Sequence, residues 1–221
     1  PVETPMPELT FTETPPETPI AVPTATPTGT PAFTAAPIPM PTETPTFFVA
    51  PAETSAPIAR ILFTEIMIDP AAVSDTAGEW IEVYNADDKA ANLRGWQLGT
   101  VERAEHVIAA DFWVAPGAYA VLARNDDAMV NGGVAVAYRY GSSIALNNTG
   151  SDAVALRAPA GELIDYLAWG TATALRSIPG ASLERTTLGE PVQWVVAWQP
   201  WAGSAGDFGS PGSPYRAEIT P

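Results

Sequence analysis

Apolar residues in this chain come in short runs separated by polar turns, and the clearest two lie within residues 61–85. The first reads Ile61-Leu62-Phe63-Thr64-Glu65-Ile66-Met67-Ile68-Asp69-Pro70. After a polar loop comes Gly78-Glu79-Trp80-Ile81-Glu82-Val83-Tyr84-Asn85. Both are rich in β-branched and aromatic residues and end at Pro, Gly, Asn or Asp, which is the pattern of β-strands. Strand alternation sets Ile81 and Val83 on one face, with Trp80, Glu82 and Tyr84 on the other. A third strand over 93–98 puts Trp96 and Leu98 on a common face. Further strands are predicted over 107–111, 118–123, 134–140, 152–157, 162–169, 181–186 and 192–198, with an apolar lead-in at 144–147. Turns fall at Ala115-Pro116-Gly117, Asn131-Gly132-Gly133, Asn148-Thr149-Gly150-Ser151 and Pro159-Ala160-Gly161. No long segment keeps a helical period, so the pattern predicts an all-β sandwich or barrel.

This rhythm begins at Ile58. Residues 1–57 carry 15 of the 24 prolines, 14 threonines and six glutamates, with no Lys or Arg. Pro-Thr-x-Thr-Pro occurs at 23–27 and again at 41–45. Proline at this density removes amide donors and excludes helix, and it pushes each preceding Thr toward extended backbone. The segment is therefore expected to be a disordered, extended Pro/Thr-rich stalk reaching up to about 3.1 Å per residue, with Phe47-Phe48-Val49 as a tether near the domain. Such stalks are typical of secreted and cell-surface proteins, so an extracellular or cell-surface location is expected. The domain is placed at 58–214 and the start of a second linker at 215–221, where Thr220-Pro221 resumes the stalk rhythm. Because the first residue is Pro1, the chain is read as a segment of a longer exported protein.

Charge narrows the partners. With 10 basic and 25 acidic residues the formal net charge is −15, which repels phosphate backbones and anionic lipid head groups. Nucleic acid is not expected as a partner. No apolar run approaches the roughly 18 residues that cross a bilayer, so direct membrane insertion is not expected either. Cysteine is absent, which excludes disulfides, thiolate nucleophiles and Cys-based zinc sites. An open sandwich leaves edge strands free to pair with another chain, and no oligomeric state is assigned.

Several of these residues together resemble the lamin-tail domain family. They are Glu65-Ile66-Met67, Asp69-Pro70, the run from Glu79 and Trp80 to Asn85, and Leu93-Arg94-Gly95-Trp96-Gln97-Leu98. Pro116-Gly117-Ala118-Tyr119, Leu146-Asn147-Asn148, Asp152 with the apolar residues after it, and Gly161-Glu162-Leu163-Ile164-Asp165 continue the pattern. Ser182-Leu183-Glu184-Arg185, Trp194 and the stretch holding Pro211 and Gly212 finish it, so the resemblance runs over 60–214. It implies an immunoglobulin-like β-sandwich and, beside a stalk, a secreted or surface module. Serine at 210 and tyrosine at 215 depart from the family's usual Gly-Thr-Pro-Gly ending with a nearby Asn.

The candidate chemistry is modest. Glu65, Asp69, Asp75, Glu79 and Glu82 crowd the first two strands and their connection. Glu65, Asp69 and Glu79 are the candidate ligands of a metal, with calcium or another hard cation as the candidate ion, although no calcium-loop pattern is present. The alternative reading makes these carboxylates structural acceptors of backbone amides. A hydrolase built on Glu65 and Glu79 would need both in one cleft. His106 is the only histidine, and no nucleophile elbow accompanies it, so it is read as a solvated strand or loop residue. Trp113, Trp169, Trp198 and Trp201 are candidates for an exposed platform that binds a surface protein or glycan, against a reading in which they pack in the core. Asn147-Asn148-Thr149 fits a glycosylation acceptor or a tight turn. The leading expectation is a non-catalytic binding or structural module. The alternatives are a part of an extracellular hydrolase and a cation-stabilised spacer.

Overall fold

The computed structural model describes residues 58–217. The expected stalk over 1–57, the tether at 47–49 and the last four residues lie outside the described part. The elements are β1 (Ile61–Met67), a single helical turn α1 (Asp75–Gly78), β2 (Trp80–Asn85), β3 (Ala91–Asn92), β4 (Gln97–Gly99) and β5 (Ala104–Val107). There follow β6 (Trp113–Val114), β7 (Tyr119–Ala123), β8 (Tyr138–Arg139), β9 (Ser151–Arg157), β10 (Leu163–Gly170), β11 (Leu183–Arg185) and β12 (Trp194–Val196).

They form a β-sandwich. A six-stranded sheet in the order β12-β11-β1-β2-β7-β8 packs on a four-stranded sheet in the order β10-β9-β4-β5, and β3 pairs with β6 in a small ribbon. Antiparallel pairing dominates; among the described strands only β7 and β8 pair in parallel. The core lies between the sheets. Ile61, Phe63, Ile66, Ile81, Val83, Leu122 and Leu183 from the larger sheet meet Leu98, Val154, Leu156, Leu167 and Trp169 from the smaller one. A second cluster of Met67, Trp80, Val121, Ala123, Val134 and Trp201 covers the outer face of the larger sheet.

Strict alternation would set Ile61 and Phe63 on the face opposite Ile66. A bulge resolves the conflict: Phe63 pairs with Val83 and Glu65 with Glu82, so Thr64 is an extra residue. The bulge keeps Ile61, Phe63 and Ile66 in the core and turns Thr64 and Glu65 together onto the outer face.

Several expected strands are shorter than predicted. The run 93–98 breaks at Gly95, whose φ of +82° no strand residue adopts, and only residues from Gln97 onward join the sheet. The run 134–140 shrinks to Tyr138–Arg139 because Asn131 captures the main chain at its start. Asn131 Oδ1 accepts the Val134 N–H (3.0 Å), and Asn131 Nδ2 donates to the Val134 carbonyl (3.0 Å). The expected strand at 107–111 lies earlier, at Ala104–Val107.

The loop that Asn131 organises presses on the segment after Trp201. Gly133 has φ +84°, and a methyl group there would collide with the Gly203 carbonyl oxygen. Gly133→Ala is therefore expected to cost about 1–3 kcal/mol from backbone strain alone, and more from the clash. Chemical denaturation of the variant measures it. Among the described residues, no helix is long and apolar enough to cross a membrane.

Candidate functional site

Three strands place three glutamates side by side. Glu184 on β11 pairs with Glu65 on β1, and Glu65 pairs with Glu82 on β2, so all three carboxylates project from one row of the outer face. All three are buried. The C-terminal segment seals them. Glu65 Oε1 accepts the Ser182 hydroxyl (2.5 Å) and the Ser210 N–H (2.8 Å), and the Ser210 hydroxyl donates to Glu184 Oε1 (2.5 Å). Glu82 Oε1 accepts the Thr64 hydroxyl (2.7 Å), and its other oxygen accepts the Gly212 N–H.

Burial dominates the electrostatics of this row. It drives the Glu65 carboxyl well above the usual range, and the neighbouring Glu82 and Glu184 raise it further against the Ser182 and Ser210 hydrogen bonds. Burial likewise pushes Glu82 up to about 7 and raises Glu184. In this protein the three acids act as hydrogen-bonded struts between strands and the C-terminal segment.

The remaining motif positions are structural in the same sense. Glu79 Oε2 accepts from Arg124 Nη1 (3.1 Å) and from the Leu146 N–H (3.1 Å), while burial lifts its carboxyl to about 7. Asn85 ties its turn by donating to the Lys89 and Val114 carbonyls (2.8 and 2.9 Å). Asp152 accepts the Asn147 N–H (2.9 Å), and Gly117, Gly161 and Gly212 adopt positive φ in turns. Trp80 and Trp96 are buried, and Trp194 is partly buried against the core.

The metal set read from the sequence does not converge. Glu65 lies under the C-terminal segment and Glu79 pairs with Arg124, whereas Asp69 accepts from Asn148 Nδ2 (3.1 Å) in a loop shared with Asp75. Among the described residues, no group of three or more His, Asp or Glu is placed to hold a metal ion. Nor do Glu65 and Glu79 share a cleft, because both are buried beneath chain. The tryptophan platform is corrected in part. Trp169 is a core residue whose Nε1 donates to the Asn147 carbonyl (2.9 Å), and Trp201 packs edge-on against Trp80 at 6.3 Å. Trp113 and Trp198 are exposed. Nothing local in the sequence separates the buried pair from the exposed pair, since the covering residues come from distant positions.

His106 is half-buried and has partners on both ring nitrogens. Its Nε2 lies 2.8 Å from the Tyr138 hydroxyl and its Nδ1 lies 3.2 Å from Ser143 Oγ. These contacts link β5, an edge of the smaller sheet, to β8, an edge of the larger. They close one side of the sandwich.

The opposite side is closed by an ion pair and opens into a cleft. Arg185 Nη1 lies 2.6 Å from Asp165 Oδ2, the same oxygen accepts the Phe63 N–H (2.9 Å), and Arg185 also donates to the Phe63 carbonyl (3.2 Å). Beside this pair lies a cleft of about 610 Å³ lined by Arg60, Leu62, the middle of β10, Leu188, Glu190 and Val192. Its aromatic lining residue is Tyr166, which is exposed. Sequence reading missed this cleft, because Arg60, Tyr166 and Glu190 carry no shared motif.

The family model of the lamin tail domain matches residues 54–171. The chain belongs to the lamin tail domain family. No curated protein matches it. The lamin tail match ends before Ser182, Trp194 and Pro211, on which the resemblance was also drawn. The structure nonetheless builds β11 and β12 into the larger sheet of this lamin tail domain and folds the 209–212 segment over its glutamates.

Proposed function

We propose that this lamin tail domain is a non-catalytic binding or structural module of a larger secreted or cell-surface protein, held out on its acidic Thr/Pro-rich segment. One observation carries the proposal. Glu65, Glu82 and Glu184 are committed beneath the C-terminal segment, Glu79 and Asp165 to ion pairs, and Asp69 and Asp152 to hydrogen bonds from Asn148 and Asn147. None of these carboxylates therefore stands in an open cleft as a free acid or base. The cleft beside β10, by contrast, is open. There the exposed Tyr166 ring and the polar groups of Arg60 and Glu190 suit a protein or glycan surface. The net charge of −15 disfavours nucleic acid.

The full chain, immobilised, is expected to retain either soluble glycans or cell-surface proteins presented in separate arms. Tyr166→Ala is expected to abolish that retention without changing the melting temperature. Absence of retention in both arms at millimolar concentration would remove the binding half of the proposal and leave a structural spacer.

A further inference from the structure

The larger sheet has six strands and the smaller four, so the sandwich is not covered equally on both sides. β10, the edge of the smaller sheet, packs against β1. β11 and β12 extend beyond β1, and among the described residues β12 is the free edge. Its side chains show the consequence: Val196 is 40% exposed and Trp198, just past the strand, is 42% exposed.

Among the described residues, no strand pairs with the outer side of this edge. Ala197 N–H donates to the Ser182 carbonyl (2.9 Å) and Thr186 N–H to the Gln193 carbonyl (2.9 Å), so the odd-numbered residues of 193–197 direct their amides toward β11. The amides and carbonyls of Trp194 and Val196 therefore face outward.

Natural sheets guard such edges with charge. The other three edges of the two main sheets are guarded: β10 packs against β1 and is tied to it through Asp165, while β5 carries Glu105 and β8 carries Arg139. β12 is not. From Val192 to Trp201 the sequence holds no charged residue, in a chain of net charge −15. Two copies approaching by most other surfaces bring like charges together, whereas this strip adds none.

We propose that the chain self-associates through β12, two copies pairing antiparallel about a two-fold axis at Val196 and joining their six-stranded sheets into one. Each Val196 exchanges both of its hydrogen bonds with its counterpart. Trp194 of one copy stands opposite Trp198 of the other, which covers the exposed indole. A two-fold axis requires this self-complementarity, and an uncharged strip satisfies it.

Sedimentation equilibrium of the full chain from micromolar to millimolar concentration is expected to show monomer and dimer. Val196→Lys sets two like charges face to face at the axis and is expected to weaken the dimer by about tenfold or more with the melting temperature unchanged. The chain contains no cysteine, which allows a direct probe of register. Hydrogen-bonded antiparallel partners have Cα atoms about 5.5 Å apart, within disulfide reach, so Val196→Cys should cross-link rapidly under mild oxidation. Leu163→Cys, exposed on the β10 edge, should not. A wild-type chain that stays monomeric at millimolar concentration would overturn the proposal. So would a Val196→Lys chain that dimerises as well as wild type, or Val196→Cys cross-linking no faster than Leu163→Cys.

Discussion

The domain is expected to melt at a higher temperature at pH 5 than at pH 8. Glu65, Glu82 and Glu184 stand in one buried row, and burial raises all three carboxyl pKa values above the ordinary carboxylate value. A group whose pKa is higher in the folded than in the unfolded chain holds its proton more tightly when folded. Its contribution is complete below the unfolded value and is lost as pH climbs through the folded one. For Glu82 the window runs from 4.5 to about 7. Across that window one such group is worth about 3 kcal/mol. In a domain of this size that corresponds to about 6–12 °C in melting temperature. Glu79, also lifted to about 7, moves in the same direction, while its Arg124 partner and the Leu146 N–H oppose the shift. Glu82→Gln imitates the protonated acid, because its carbonyl still accepts from Thr64 or Gly212. It should match wild type at pH 5, exceed it at pH 8, and flatten the profile. Calorimetry across this range decides the matter: a melting temperature that rises from pH 5 to pH 8 would mean that the row is ionised and held by its hydrogen bonds.

The same row marks the limit of what the sequence made legible. Strands β1 and β2 stood out because their apolar runs are long and end at Pro70 and Asn85. An all-β sandwich or barrel followed from the spacing of such runs, and the family resemblance narrowed it to a sandwich. Alternation also set Trp80 and Glu82 correctly on the face opposite Ile81. It gave no reason to bury that face, because the cover comes from Ser210 and Gly212, and Gly212 lies 130 positions from Glu82. The bulge at Thr64 was hidden for a related reason: one extra residue re-phases a strand, and only the partner strand reveals it. The break at Gly95 could have been read from its glycine. The loss of most of the 134–140 strand turned on the Asn131 side chain bonding its own loop, which competes with strand pairing and leaves little trace in hydrophobic pattern. The cleft beside β10 was invisible because its walls come from four separate stretches.

Arg185→Met is expected to be among the most damaging single changes in the domain. β11 pairs with β1 at Glu65 and Ile66 and does not extend along Phe63, so the Phe63 main chain finds its partners elsewhere. Asp165 and Arg185 take the place of the missing strand, one accepting the Phe63 N–H and the other donating to its carbonyl. The two side chains also bind each other, and Asp165 belongs to the opposite sheet. One ion pair therefore completes a ladder and fastens the two layers together. Both partners are largely buried, and removing the guanidinium strands a carboxylate in a poorly solvated place, a loss of about 3–5 kcal/mol. Most of that cost arises from the orphaned charge rather than from the missing attraction. Adding Asp165→Asn to Arg185→Met should then recover a large part of the stability, since an amide oxygen still accepts the Phe63 N–H and carries no charge. Urea denaturation of the two single variants and the double variant measures the coupling. A loss below about 1 kcal/mol for Arg185→Met would place the pair with ordinary surface ion pairs, and the closure of this side would then rest on apolar packing alone.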